Sequence, residues 1–166
     1  MLAVKVGNAP AALRAAVVAM RAADKTIRSD VSQRMRGTMS PVWKANVTAN
    51  AADGMAARML TPGTRIAAGN PPALIAASGN RKVGRGLTPN RNAAGYEFGA
   101  SDRVTTQSSG RGPNRSYERH AMRHLPPRHR KGRAVFPAAA ETLPRVASYW
   151  TQSVIRAFMD AVEGKE

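Results

Sequence analysis

The residue pattern predicts an α+β fold: a long N-terminal amphipathic helix and a C-terminal helix packed on a small, mainly antiparallel sheet, with two long basic loops. Three observations carry this expectation. Apolar residues recur at helical spacing over residues 11–36 and again over 142–161. Short apolar runs at 2–6, 64–69, 73–78 and 96–100 have strand character and are separated by glycine, asparagine and proline. Between them lie two stretches, at about 79–94 and 108–133, rich in arginine and poor in anything to bury.

Leu2, Val4 and Val6 alternate with Ala3 and Lys5, the period of a strand, until Gly7-Asn8 breaks the run. Asn8 is placed to cap a helix, and Pro10 is tolerated in its first turn, where an N–H would have no partner. From Ala11 onward, Leu13, Val17, Met20, Ile27, Val31 and Met35 share one face. Arg14, Arg21, Lys25, Arg28 and Arg36 fall largely elsewhere. Gly37 is expected to end or bend this helix. Ser40-Pro41 reads as the start of a second, shorter helix, with Val42, Trp43 and Val47 on its apolar side. Trp43 is expected to be a packing anchor, because a buried indole removes a large area from water. Residues 51–60 can continue as a weak helix up to the turn at Pro62-Gly63.

The runs at 64–69 and 73–78 predict a hairpin around Asn70-Pro71-Pro72. The stretch 79–94 carries Arg81, Lys82, Arg85 and Arg91 and is expected to be a mobile loop. Gly95-Tyr96-Glu97-Phe98-Gly99-Ala100 predicts a short strand, with two rings around a carboxylate, and 103–107 a strand that extends or pairs with it. The second loop, 108–133, holds Arg111, Arg115, Arg119, Arg123, Arg128, Arg130, Lys131 and Arg133 against the single acid Glu118. Pro126-Pro127 forbids a continuous helix there, although short helical order fits 117–124. The chain then enters a final helix through Phe136-Pro137, with Thr142 as a cap and Pro144 in an early turn. Val146, Trp150, Val154 and Phe158 form its apolar stripe. With Leu13, Val17, Met20, Ile27, Val31 and Trp43 they make up the expected core.

A length of 166 residues fits one domain, 1–166. The hydrophobic share is 43% but aromatics are 5%, so the core is thin and suggests a subunit that buries further surface against its own copies. Lys and Arg number 26 against 10 Asp and Glu, a net charge of +16 that draws polyanions or acidic protein surfaces. Most of the cations are arginine, whose planar fork pairs with carboxylate or phosphate. Without cysteine, disulfides and thiolate metal sites are excluded. No apolar run reaches the roughly 20 residues of a membrane span. The N-terminus lacks a basic head followed by an apolar signal core, so a soluble protein made in a cytoplasm is expected.

Signs of chemistry are sparse. His120 and His124 stand four apart with His129 nearby, a spacing that can hold a metal on a helix. The zinc-hydrolase form has glutamate directly after the first histidine, where this chain has Ala121, and the surrounding arginines repel a dication. No metal and no cofactor are expected. Glu97 could be a buried acid or base. In so basic a chain it reads instead as an ion-pair partner for arginine. No second acid sits at a catalytic spacing, and Gly84-Arg85-Gly86 lacks the fuller phosphate-cradling pattern. No catalytic residue and no enzyme are expected. The basic loops supply arginines for phosphate contacts, but Tyr117 alone stands among them for base stacking. No helix-turn-helix or zinc-finger spacing is present.

The order of motifs says more than any one of them. A short strand and long amphipathic helix open the chain at 2–6 and 11–36, and Tyr96-Glu97-Phe98-Gly99 follows in the sheet region. A long variable loop then leads through Phe136-Pro137-Ala138-Ala139 into the C-terminal helix. In this the chain resembles the tail-completion and head–tail joining proteins of long-tailed bacteriophages. It departs from them in its very basic, proline-bearing loop, and in Tyr96 standing directly against Glu97 where other members often space the pair.

The resemblance implies a structural virion protein of the neck, assembled in the host cytoplasm. It implies a homo-oligomeric ring, commonly a hexamer, that caps or completes the tail tube and joins it to the head connector. The implied partners are copies of the chain, the connector or stopper, the major tail tube protein, and genome DNA passing through unread. The expected interface comprises the eight cations of the second loop, Arg111 to Arg133, together with Arg81, Lys82, Arg85, Tyr96, Glu97 and Phe98. The alternative reading is a basic DNA- or RNA-binding protein without sequence preference.

Overall fold

The structure, a computed structural model, describes residues 1–5, 11–23, 25–67, 69–84, 86–101, 103–108, 116–121 and 125–163. At residues 4, 5, 103, 105–108 and 116–121 the backbone alone is described. In chain order the elements are β1 (Leu2–Lys5), α1 (Ala11–Ala22), α2 (Lys25–Asn50), α3 (Gly54–Leu60), β2 (Arg65–Ala67) and β3 (Ala73–Ala76). They continue with α4 (Pro89–Phe98), β4 (Arg103–Ser108), β5 (Ser116–Ala121) and α5 (Val135–Val162). This is an α+β fold, with more helix than strand.

Two long antiparallel helices, α2 and α5, form its spine. Three polar rungs set their alignment: Arg34 Nη2 donates to Asp160 Oδ2 at 3.3 Å, the Thr38 and Tyr149 hydroxyls share a bond of 2.9 Å, and Asn46 Nδ2 donates to Thr142 Oγ1 at 2.8 Å. Between the rungs, Val31, Met35, Met39, Trp43 and Val47 are buried at steps of four, one continuous helical stripe. Val146, Trp150, Val154 and Ala157 of α5 belong to the same core, and α1 adds Leu13, Ala16 and Met20. Of the ten expected core residues, seven lie in this interior and three pack against it. Leu13, Met20, Val31, Trp43, Val146, Trp150 and Val154 are buried, while Val17, Ile27 and Phe158 pack against them half-buried.

The helix boundaries differ from the expectation. The single helix expected over 11–36 is two, divided after Ala22, and α2 then runs without a stop through Gly37 and Pro41. Both residues face solvent, where a missing N–H and a slight bend cost least, and the buried stripe spans the proline. Thr142 is no cap either, since α5 begins two turns earlier. It is buried, and its hydroxyl donates to Ala138 O at 2.7 Å. Residues 6–10, with the expected cap Asn8, lie outside the described residues.

The expected hairpin is present as β2 and β3, and β1 joins it, giving an antiparallel sheet of order β1-β3-β2. Leu74 is the register centre, opposite Val4 on one side and Ile66 on the other. Two bonds tie this sheet to α2. The Trp43 indole donates to Ile75 O at 2.9 Å, and Ser40 Oγ accepts the Ile66 N–H at 3.1 Å.

Residues 95–100 are not a strand. Pro89, Ala93, Tyr96 and Glu97 are buried at helical intervals along α4, and burial of the adjacent pair Tyr96 and Glu97 is incompatible with the alternation of a strand. Thr88 enters α4 in extended conformation with Pro89 in the first turn, and Gly99 ends it at φ +69°. The last six residues of the stretch 79–94 are therefore helix, and Asn90 N is bonded to Gly79 O at 3.0 Å. β4 pairs antiparallel with β5, not with residues 96–100, so strand replaces the short helix expected at 117–121.

Candidate functional site: a buried carboxylate under a basic turn

Glu97 is the point on which the second half of the chain is mounted. It is 0% exposed, although carboxylates almost never go fully buried without partners. Its partners are backbone amides. Oε1 accepts from Arg133 N at 3.1 Å, Ala134 N at 3.3 Å and Phe136 N at 3.0 Å. Oε2 accepts from Ala134 N at 3.2 Å and Val135 N at 2.9 Å. These are the unpaired donors at the start of the 28-residue helix α5, where the positive end of the helix dipole also favours an anion.

The residues that make this possible come from both sides. Gly132 turns into the helix at φ +78°, and a Cβ placed there would collide with Glu97 Oε1. Gly99 approaches the opposite strap so closely that a Cβ would strike the Pro126 and Pro127 carbonyls. Ala100 N donates to Pro126 O at 3.0 Å and His129 N to Phe98 O at 2.7 Å. The rings of Phe98 and Phe136 lie 5.4 Å apart, tilted by 48°. The end of α4 and the start of α5 are thus bound on three sides.

The residues just before α5, 127–132, rise as a turn. Gly132 N bonds back to His129 O at 3.4 Å, and Arg133 Nη2 reaches Pro127 O at 2.6 Å. Arg128, His129, Arg130 and Lys131 are all exposed on its crest. Arg128, Arg130 and Lys131 have no ion pair among the described residues.

Among the described residues Glu97 is therefore not the partner of an arginine side chain; its bonds go to main-chain N–H groups. A carboxyl group whose two oxygens accept five such bonds has no lone pair aimed at a substrate, so it is a poor general base. The sequence signal for this role is a glutamate that is the only acid of its helix, followed by a glycine- and proline-marked entry to a long helix.

Of the other expected interface residues, Tyr96 is buried and Phe98 half-buried, while Arg81 and Lys82 are exposed on the loop before α4. Burial raises the Tyr96 phenol above 10.0, and the charge of Asp53 adds to this. A cavity of about 300 Å³ lies beside it, lined in part by Asp53, Met55, Leu60, Leu125 and Arg133. Arg119 is in β5, opposite Thr105. Arg85, Arg111, Arg115 and Arg123 lie outside the described residues, as does His124. Among the described residues no three His, Cys, Asp or Glu side chains form a group that could hold a metal, and no helix is long and apolar enough to cross a membrane.

No family model, curated protein or solved structure matches the chain. Its function rests on its own geometry.

Proposed function

We propose that this chain is a structural subunit of a phage neck. It forms a homo-oligomeric ring, taken as sixfold, that caps or completes the tail tube and joins it to the head connector. The observation that carries the reading is the hairpin of β4 and β5. Among the described residues its strands pair with each other and make no extensive contact with any helix or with the three-stranded sheet. An arm of this kind, set in the most arginine-rich part of the chain, is suited to reach an adjacent subunit or ring.

Two further features support self-assembly. Among the described residues β1 and β2 are the edges of the three-stranded sheet, and since Ser40 of α2 takes the Ile66 N–H of β2, β1 is the edge suited to strand addition. On α5, Ile155, Met159 and Val162 are exposed at a spacing of four and three, an apolar ridge of the kind helices use to associate. In this reading the connector and the tube protein meet the faces of the ring, and genome DNA passes through without being read. The place of action is the virion, after assembly in the host cytoplasm.

The exposed cations Arg128, Arg130 and Lys131 favour a second reading, a basic DNA- or RNA-binding protein that acts without a ring. Electron microscopy and sedimentation of the purified chain, alone and with purified tail tubes, separate the two. Closed rings with a central channel that seat on tube ends are expected. A protein that stays monomeric at every concentration and ignores tube ends would end the neck reading.

A further inference from the structure

We propose that the turn at residues 128–131 is a preformed docking point for the phosphates of duplex DNA. This deepens the reading above by assigning the residues that touch the genome, although its physical basis is separate. Three cations stand within four consecutive residues, all exposed, and none has an ion pair among the described residues. Such charges in a disordered tail would lose much conformational freedom on binding. Here the backbone beneath them is already held by His129 N to Phe98 O, by Ala100 N to Pro126 O, and by the Glu97 carboxylate at the following helix start. The turn is ordered before any ligand arrives.

Its chemistry favours phosphate over an acidic protein. Protein interfaces centre on apolar and aromatic side chains, with charge at the rim. The crest consists of Arg128, His129, Arg130 and Lys131. None of these four is apolar, and the nearest exposed ring, Phe136 at the start of α5, is packed on Phe98. Duplex DNA instead offers a continuous rail of about one negative charge per 1.7 Å of axis, which a row of cations can engage in any register. Bonds to phosphate position a duplex without reading its bases.

The experiment uses the full chain and a labelled mixed-sequence duplex of about 20 base pairs, with binding followed by fluorescence anisotropy between about 50 and 200 mM salt. The triple variant Arg128→Ala, Arg130→Ala, Lys131→Ala removes exposed side chains and leaves the Glu97 mount intact. Its plot of log affinity against log salt should be shallower than that of the parent by about 2.7, or about 0.9 for each phosphate that is no longer neutralised. Arg128→Lys with Arg130→Lys should retain the parental slope. A control variant, Arg36→Ala, Lys44→Ala, Arg58→Ala, removes equal charge from exposed positions elsewhere and should leave the slope nearly unchanged.

An unchanged slope in the turn variant, or an equal loss in the control, would overturn the proposal. So would a parent chain that ignores the duplex while capturing polyglutamate, which would assign the turn to an acidic protein. Sedimentation of the same samples keeps the two readings apart. Monomers with a turn-dependent slope retain this inference without the ring, and rings with a turn-independent slope do the reverse.

Discussion

Glu97 Oε2 lies 2.9 Å from the Val135 backbone nitrogen, so a side chain of α4 closes the open end of α5. Four amides converge on this one carboxyl group, which satisfies the buried N–H groups of Ala134 and Val135 among them. Glu97→Ala should therefore lower unfolding stability by about 3–5 kcal/mol, as expected when one partner of a buried charged network is deleted. Glu97→Gln keeps the volume and one oxygen and should recover part of the loss. Urea denaturation with an unchanged slope would measure both, and an alanine variant within about 0.5 kcal/mol of the parent would refute this role.

Gly132 stands at φ +78° against the same carboxylate. Alanine there suffers from both the left-handed backbone and the collision with Oε1. A cost of about 2 kcal/mol is expected, which in a chain of this size lowers Tm by about 4–8 °C. Gly37→Ala provides the contrast. A Cβ at Gly37 meets nothing within 4 Å, and the helix interior prefers alanine, so Tm should rise slightly.

Trp43 is 0% exposed and donates its indole N–H to Ile75 O at 2.9 Å. Trp43→Phe removes that donor and leaves a void between α2 and the sheet. A loss of about 2–4 kcal/mol is expected from packing and hydrogen bonding together. Thermal melts measure it, and a change under about 0.5 kcal/mol would show that the indole is not an anchor.

Tyr96 gives stability a dependence on alkaline pH. Burial, helped by the Asp53 charge, raises its phenol above 10.0, so the folded chain keeps a proton that the unfolded chain gives up. The contribution is complete below pH 10 and is lost as pH rises through the folded-state value. Comparing Tm between about pH 8 and 11 should show a steeper alkaline fall for the parent than for Tyr96→Phe. Parallel curves would contradict it.

Arg34 bridges Asp30 at 2.8 Å and Asp160 at 3.3 Å, linking α2 to α5, but all three side chains are partly exposed. Water and salt screen such pairs, so Arg34→Ala should cost less than about 1 kcal/mol, and still less at high salt. The hydrogen bond to Asp30 leads the effects that raise the guanidinium above its already high ordinary value. Its contribution is therefore lost only at higher pH still, and its own titration should not tilt stability between about pH 5 and 9. A cost above about 2 kcal/mol in urea would show that the rung matters more than its exposure implies.

The parts legible in the chain share a cause. The hairpin of β2 and β3, the strand β1 and the stripe Val146, Trp150, Val154 are local periodic patterns, and burial follows such patterns directly. Glycine and proline weigh heavily in local rules, which therefore stop the helix at Gly37. The steps of four from Val31 to Val47 pass over both residues and are the better signal. Tyr96-Glu97-Phe98 reads as a strand because three residues cannot distinguish the two periods. The wider set Pro89, Ala93, Tyr96 and Glu97 can.

What the sequence by itself determined was the α+β class, seven of the ten residues of the expected core, the positive charge and the absence of cysteine chemistry. All of these depend on composition or on spacing within one element. Only the tertiary structure decided what Glu97 does, because its partners lie 36 to 39 residues away and are main-chain groups that every residue but proline carries. The spacing of side chains within one element does not announce such a bond. It exists because α4 and α5 meet, and it converts a run of basic residues into an ordered turn.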